Sequence, residues 1–455
     1  MINIKSDSRK IKPGDIFVAL KGLSSNGDEY ISNAILNGAS KVVVDNDSTY
    51  EIETLRVSDT RKYLNEYLSN NYGKYLDEMN IIGITGTNGK TTSAYLIYQA
   101  LNRIGFKCAY IGTIGFYLDK KICSLDNTSP DTCDLYDMIM TSYDKGFKNV
   151  VIEASSQGLA MGRFENIRFN YAIFTNLTQD HLDYHKTMDN YVKAKQKLFC
   201  HLKDCGIGIV NADDSYNKYF KAKNIVTYGF NSNDYKILSY SLGYKTSFEL
   251  KVNGKIYTFE SNLIGKYNIY NLACMIALLK EMGIDINKIV DITKYLNTPP
   301  GRMDIISYNS NLIIVDYAHT PDAMINIFNT MKEVKKGNIY TIFGCTGDRD
   351  RIKRPIMMNI ACSNSKQVIV TSDDLHNEDF NHILSDMLEN NNHKNYIVIE
   401  DRRKSIEKGI SLLKNNDILL ILGKGHEEFI IIGNKKIPFN DKAVVEKVIN
   451  KNVKV

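Results

Sequence analysis

Ile81-Ile82-Gly83-Ile84-Thr85-Gly86-Thr87-Asn88-Gly89-Lys90-Thr91-Thr92 is the stretch on which the reading of this chain turns. A short apolar run passes straight into a glycine loop, and a helical stretch begins near Ser93, so the order is strand, loop, helix. Gly86 and Gly89 let main-chain N–H groups close on phosphate oxygens, and the helix N-terminus adds positive potential. Lys90 neutralises β/γ charge and Thr91 offers a hydroxyl to Mg²⁺, with Thr87, Asn88 and Thr92 completing the candidate nucleotide loop. The general pattern G-x-x-x-x-G-K-[ST] is not met, because Ile84 takes its first glycine position; the loop is the shorter G-T-N-G-K-T-T. A motor, a switch and a kinase could all use such a loop.

Outward from the loop, Val150 to Ala154, Tyr171 to Asn176 and Ile207 to Asn211 are short apolar runs that join Ile81 to Thr85 as buried strands of one sheet. Their polar ends should form the ligand face, since open α/β sheets bind ligands at the carboxyl ends of their strands. A second set, Leu312 to Asp316, Ile339 to Gly344, Val368 to Thr371, Tyr396 to Ile399 and Ile418 to Gly423, predicts another α/β sheet beyond Pro299-Pro300-Gly301, which cannot continue a helix. The polar helical stretch from Thr60 to Met79 closes a small α/β unit near Glu78. The chain therefore divides into residues 1–78, 79–300 and 301–455, as expected for 455 residues at roughly 100–200 per domain.

Apolar residues at 43% and charged residues at 24% belong to a globular protein, not a disordered one. A net charge of +5, with lysines and arginines interspersed among acids, argues against nucleic acid as the main partner. Met1 to Lys10 is too polar for a secretory signal and no apolar run reaches membrane-spanning length, so a cytoplasmic protein with no membrane partner is expected. The 8 cysteines contain no CxxC pair, which predicts reduced thiols and no zinc ribbon.

Beyond the loop, the chain resembles the Mur ligase family over nearly its whole length. G-T-N-G-K-T-T is similar to the family's ATP loop. Asp7-Ser8-Arg9, Pro13 to Leu20 and Gly27-Asp28 resemble its UDP-binding unit. Asn127 to Pro130, Glu153 to Leu159, Thr175 to His185, Gly301-Arg302-Met303, Asp316 to Asp322, Gly344 to Arg354 and Gly423 to Glu427 follow in the family's order. The branch it most resembles adds the third residue of the peptidoglycan stem. The resemblance implies a three-domain α/β architecture with a central P-loop ATPase sheet and a Rossmann-like C-terminal domain. It also implies ATP and Mg²⁺ as cofactors, UDP-MurNAc-dipeptide and a free amino acid as partners, and a monomer.

Site residues follow residue by residue. Glu153, at a strand end, is a hard oxygen donor suited to Mg²⁺, and the resemblance makes His181 a second metal ligand. His181 and His185 lack the glutamate of H-E-x-x-H, so zinc is not indicated. Lys195 matches a lysine that the family carbamylates with CO₂, although spacing alone reads it as a solvated helix face. Asn268 resembles the adenine-binding segment, and Arg302 and Asp316 resemble residues reaching the nucleotide; an N-cap and a turn residue are the plainer readings of the first two. His319 resembles a group that orients the phosphates. Ser8, Thr128, Ser129, Ser155 and Arg163 match positions that hold the UDP-sugar, with departures at Gln157 and Met161. The chain begins close to Asp7, where relatives have a further strand, so some uracil contacts are expected to be missing.

For the incoming amino acid, the resemblance assigns Arg349, Asp373, Asp374, His376, Gly423 and Glu427. Relatives that add diaminopimelate carry Asp-Asn-Pro-Arg where this chain has Asp373-Asp374-Leu375-His376, so the guanidinium clamp for a second carboxylate is absent from that loop. Lysine, ornithine or another residue is compatible. The expected activity is an ADP-forming ligation through an acyl phosphate. The rivals are a paralogue using an unusual amino acid or a different acceptor, a folylpolyglutamate-synthase-like enzyme, and a non-catalytic nucleotide switch.

Overall fold

The computed structural model describes residues 2–22, 26–242, 245–334 and 337–452. Among these residues the strands form four-, eleven-, six- and two-stranded sheets. Ile81 to Thr85 is buried throughout, as a parallel strand covered by helices on both faces must be. It is central to the eleven-stranded sheet, between Phe169–Phe174 and Asn149–Glu153. Register brings their carboxyl ends level: Ile84 pairs with Glu153 and Thr85 with Phe174. Leu202–Asn211 and Asn224–Gly229 continue the parallel order on one side and Cys108–Gly112 on the other.

The sheet is longer than the apolar runs indicate. The antiparallel strands Thr246–Val252 and Lys255–Ser261 extend one edge, and Gly115–Tyr117 with Lys121–Cys123 extends the other. Thr246–Val252 alternates, Lys255–Ser261 is mostly and Lys121–Cys123 wholly exposed, and Gly115–Tyr117 is only three residues long, so they lack the continuous apolar signal of the buried ones.

The N-terminal sheet is fully parallel, in the order Ile4–Lys5, Ile16–Val18, Lys41–Val44, Glu53–Arg56. It docks on the helix Thr132–Asp144 through Lys5 to Asp137 at 2.8 Å, Lys10 to Asp134 at 2.7 Å and Ser6 to Asp131 at 2.9 Å. The six-stranded sheet holds the second set of apolar runs, with Asp304–Tyr308 added antiparallel at its edge. At Gly301 the φ of +68° and a main-chain N of His426 only 2.0 Å from where a Cβ would stand leave room for glycine alone. Among the described residues no helix is long and apolar enough to cross a membrane.

Candidate active site

Gly86 ends the central strand with φ +153°, and a Cβ there would lie 1.9 Å from the Thr175 hydroxyl. The loop therefore presses against the end of the neighbouring strand. Asn88 is held there: its N–H donates to Asn176 Oδ1 at 2.9 Å, and its carbonyl accepts from Thr175 Oγ1 at 2.7 Å and Asn176 Nδ2 at 3.0 Å. Thr87 is fixed by the Tyr191 hydroxyl and the Thr178 N–H at 3.2 and 3.0 Å. Lys90 and Thr91 open the helix Lys90–Arg103.

Lys90 Nζ folds back onto the carbonyls of Gly86 and Thr87, both at 2.9 Å. Lys195 is only 1% exposed and donates to the same Gly86 carbonyl at 2.7 Å. Its burial overturns the solvated-face reading of its spacing: the helix Met188–Cys200 packs this face inward over the loop. Among the described residues neither lysine makes an ion pair. Burial lowers the pKa of Lys90, against the pull of Glu153 and Asp180. Burial, and then the Lys90 charge, drives Lys195 well below the ordinary lysine range.

Glu153 is fully buried and its carboxylate accepts from Thr91 Oγ1 at 2.8 Å, Thr113 N at 3.0 Å, Thr113 Oγ1 at 3.1 Å and the Tyr110 hydroxyl. A carboxylate and a hydroxyl side by side form a hard-oxygen donor pair that fits Mg²⁺. Lys195 in its amine form is not such a donor. His181 is exposed, in a left-handed conformation, with Nε2 3.5 Å from Asp180 Oδ2. His185 instead bonds Ser156 Oγ at 2.9 Å, and burial pushes it down to about 4.

A cavity of about 320 Å³ opens beside the loop, lined by Asn88, Gly89 and Thr92 on one side, Asn268 and Asn271 below, and Arg302, Asp316 and Asp322 from the C-terminal unit. Asn268 lies within the helix Lys266–Glu281, which Gly265 caps, so the N-cap reading does not hold. It donates to Ile264 O at 2.8 Å and accepts from Asn271 at 3.0 Å. Asp316 accepts from Met303 N and Ala318 N, both at 2.7 Å, and burial raises its pKa. Arg302 lies over the Tyr317 ring at 4.6 Å. Its Nε and the Tyr267 hydroxyl are buried without hydrogen-bond partners, although both residues line the cavity. Unsatisfied donors in a polar cavity fit a ligand rich in acceptors, as a nucleotide is. His319 Nδ1 donates to the Tyr317 carbonyl at 2.8 Å; burial and Lys353 push its pKa down to about 4, leaving it neutral near pH 7.

Thr113 links this site to a second cavity of about 250 Å³, which it lines with Thr128 on one wall and Asp374, His426 and Glu427 on the other. Thr113 and Thr128 share a hydroxyl contact at 3.0 Å. Ser129 Oγ donates to the Glu153 carbonyl and accepts from Ser155 N, each at 2.9 Å, while Arg163 reaches Ser129 O at 2.5 Å. Thr128, Ser129, Ser155 and Arg163 are thus gathered beside Glu153. Ser8 is buried farther out; its carbonyl accepts from Asn37, in the unit that docks on Asp131 and Asp134.

On the far wall, Lys424 is buried with Nζ 2.8 Å from Asp374 Oδ1, 2.6 Å from Glu427 Oε2 and 3.9 Å from Asp373 Oδ1. Burial raises Glu427 to about 7, against the pull of Lys424. Gly423 donates to the Asp316 carbonyl at 3.1 Å, which ties the two cavities together. His376 is half-buried, with its carbonyl accepting from Gly433 N at 2.6 Å. Arg349 is exposed, in a loop that Asp348 and Gly347 bind to Asn377 and Asp374. Tyr110, Thr113, Tyr191 and Lys424 were not singled out from sequence. Lys424 stands within a quoted motif, whereas Tyr110 and Thr113 sit on an apolar strand and its turn, with nothing local to mark them.

Sequence profiles match in chain order: Mur ligase family, catalytic domain, over residues 2–74; Mur ligase middle domain over 84–279; and Mur ligase, glutamate ligase domain, over 301–425. The chain is 40% identical to the UDP-N-acetylmuramoyl-L-alanyl-D-glutamate–2,6-diaminopimelate ligase of Clostridium botulinum, covering 98% of this chain and 94% of that protein. It is also 40% identical to the Aquifex aeolicus protein of the same name, covering 98% and 93%. A solved structure of a ligase of that name superposes with a TM-score of 0.68 at 31% identity, covering 99% and 95%. The MurF ligase of Thermotoga maritima in complex with ADP shares the fold, with a TM-score of 0.71 at 17% identity over 99% and 98%.

Proposed function

This chain belongs to the Mur ligase family, an ATP-dependent, ADP-forming group, and from that premise we propose that it adds the third amino acid to UDP-MurNAc-L-Ala-D-Glu in the cytoplasm. The observation that carries the reading is a pair of lysines, Lys90 and Lys195, held at one main-chain carbonyl without acid partners beside Glu153. Such a site is electrostatically incomplete until a polyanion enters it. Residues 1–78 would hold the UDP end, 79–300 the triphosphate and 301–455 the amino acid.

Condensing a carboxylate with an amine in water is uphill, so the carboxylate first takes the γ-phosphoryl group, releasing ADP. Phosphoryl transfer needs positioning and charge neutralisation more than it needs a protein nucleophile. Lys90 supplies charge, the loop N–H groups hold the phosphates, and Arg302 and Asp316 hold the nucleoside end. Thr91 and Glu153 would hold Mg²⁺, with His181 beside them, and the ion when bound would offset phosphate charge. The depressed pKa of Lys195 supports its resemblance to the carbamylated lysine, because the neutral amine is the form that reacts with CO₂. The amine of the amino acid then attacks the acyl phosphate and displaces phosphate, from a position between Thr128 and Glu427.

A second reading keeps this chemistry and changes the amino acid. Asp374 and Glu427 line the second cavity; its two lining lysines, Lys121 and Lys436, are paired with Glu428 and Asp126, no arginine lines it, and His376 stands where diaminopimelate relatives have arginine. A distal carboxylate would be repelled there and a distal ammonium attracted. Purified protein with ATP, Mg²⁺, UDP-MurNAc-dipeptide and a panel of amino acids tests both readings by phosphate release and product mass. Product with lysine or ornithine but not with diaminopimelate supports the second. Phosphate release indifferent to every amino acid would sink the ligase assignment.

A further inference from the structure

The loop Gly86–Gly89 is clamped from two sides, and only one clamp belongs to its own sheet. Thr175 and Asn176 hold the main chain of Asn88. The side chain of Asn88 turns the other way, and its Nδ2 donates to Asp322 Oδ2 at 2.7 Å, across 234 residues of sequence. Asp322 lies in the first turn of the helix Pro321–Val334, beside the C-terminal sheet, and Asn326 one turn on reaches the same oxygen at 3.4 Å. Asn88, Asp322 and Asn326 all line the nucleotide cavity. Tyr267, in the first turn of the helix Lys266–Glu281, packs against the apolar core of the C-terminal unit, so that unit is seated here by a contact independent of Asp322.

A carboxylate is poorly suited to facing a triphosphate, because like charges at close range repel. The Asp322 carboxylate is instead engaged by the protein, through the Asn88 amide. We infer that Asp322 is a positioning residue for the phosphate loop: by accepting from the Asn88 amide, it makes the loop's shape depend on the C-terminal unit being seated over the nucleotide. The loop would then be correctly formed when the module carrying the amino-acid site is in place, which joins ATP use to the presence of that module. Burial raises the Asp322 pKa while the Asn88 bond lowers it, as expected of a carboxylate whose partner is that amide.

The inference rests on the ligase reading, and its test is a double-mutant cycle in the ligation assay: wild type, Asp322→Ala, Asn88→Ala and the double variant, with Asp322→Asn as the conservative change. Asp322→Ala should lower kcat about tenfold, from loss of a charge-assisted hydrogen bond, raise KM for ATP by less, and leave KM for the UDP-dipeptide unchanged. Asp322→Asn, which keeps an acceptor oxygen, should recover most of the loss. The double variant should be no worse than the poorer single one. Single effects that multiply in the double variant, or an Asn variant no better than Ala, overturn the inference. If Asp322→Ala fails to fold by circular dichroism, Asp322→Leu, which is close to aspartate in shape but has no acceptor oxygen, takes its place in the cycle and reads the same coupling. A wild type that forms no product removes the ligase reading instead, and shows as such before any variant is compared.

Discussion

Lys90 and Lys424 both stand just beyond the carboxyl end of a parallel strand, yet their surroundings are opposite. Among the described residues Lys90 donates to main-chain carbonyls, as does Lys195 behind it, which also lies over the Tyr191 ring, and neither has an acid partner. Lys424 is enclosed by Asp373, Asp374 and Glu427, an arrangement with more acid than base. The first region is left short of negative charge and the second short of positive charge. On the proposed function a triphosphate would complete one and an ammonium group the other, and Thr113 connects them. The difference teaches that the two regions differ in sign of charge, which would sort two substrates before shape does.

The severest way to break this contrast is to remove the cation that the phosphates need. Lys90→Ala should lower kcat by roughly a thousandfold, since an unshielded phosphoryl transfer loses a charge placed for its transition state. Single-turnover phosphate release measures it, and a variant within tenfold of wild type would refute the ATP site. Lys195→Ala should cost roughly a hundredfold. It should also remove any dependence of the rate on added bicarbonate, which wild type is expected to show.

At the other end the effect is smaller and depends on pH. Glu427 is raised to about 7 by burial, so it gains its charge as pH rises through that value. KM for an amino acid with a distal amine should therefore fall as pH rises from 6 to 8, and Glu427→Gln should flatten that profile and raise KM about tenfold. For stability the sign is the reverse. The folded state binds the Glu427 proton more tightly than the unfolded chain, so stability declines from about pH 4.5 to about 7 and is level above it. Glu427→Gln should remove that decline in a denaturant titration repeated across the same range.

Much of this was legible before any coordinates. The buried strands announce themselves because a strand covered on both faces must be continuously apolar, and Ile81 to Thr85, Val150 to Ala154 and Ile418 to Gly423 are such runs. The edge strands Gly115–Tyr117 and Lys121–Cys123 are not, and they were missed. Lys195 looked like a solvated helix residue because spacing along a helix cannot say which face another element covers. Asn268 looked like a cap because a helix start is uncertain by a few residues from sequence.

The sequence by itself determined the chemistry available: a loop with two glycines and a lysine, a strand-end glutamate, and a histidine where relatives carry an arginine. Local order suffices there, because the strand, the loop and the helix start all lie within a dozen residues. Only the tertiary structure decided what each charge faces. Lys195 meets Gly86, Asn88 meets Asp322 and Lys424 meets Asp374 across 109, 234 and 50 residues. Electrostatic energy depends on distance and burial in space, which chain position does not encode.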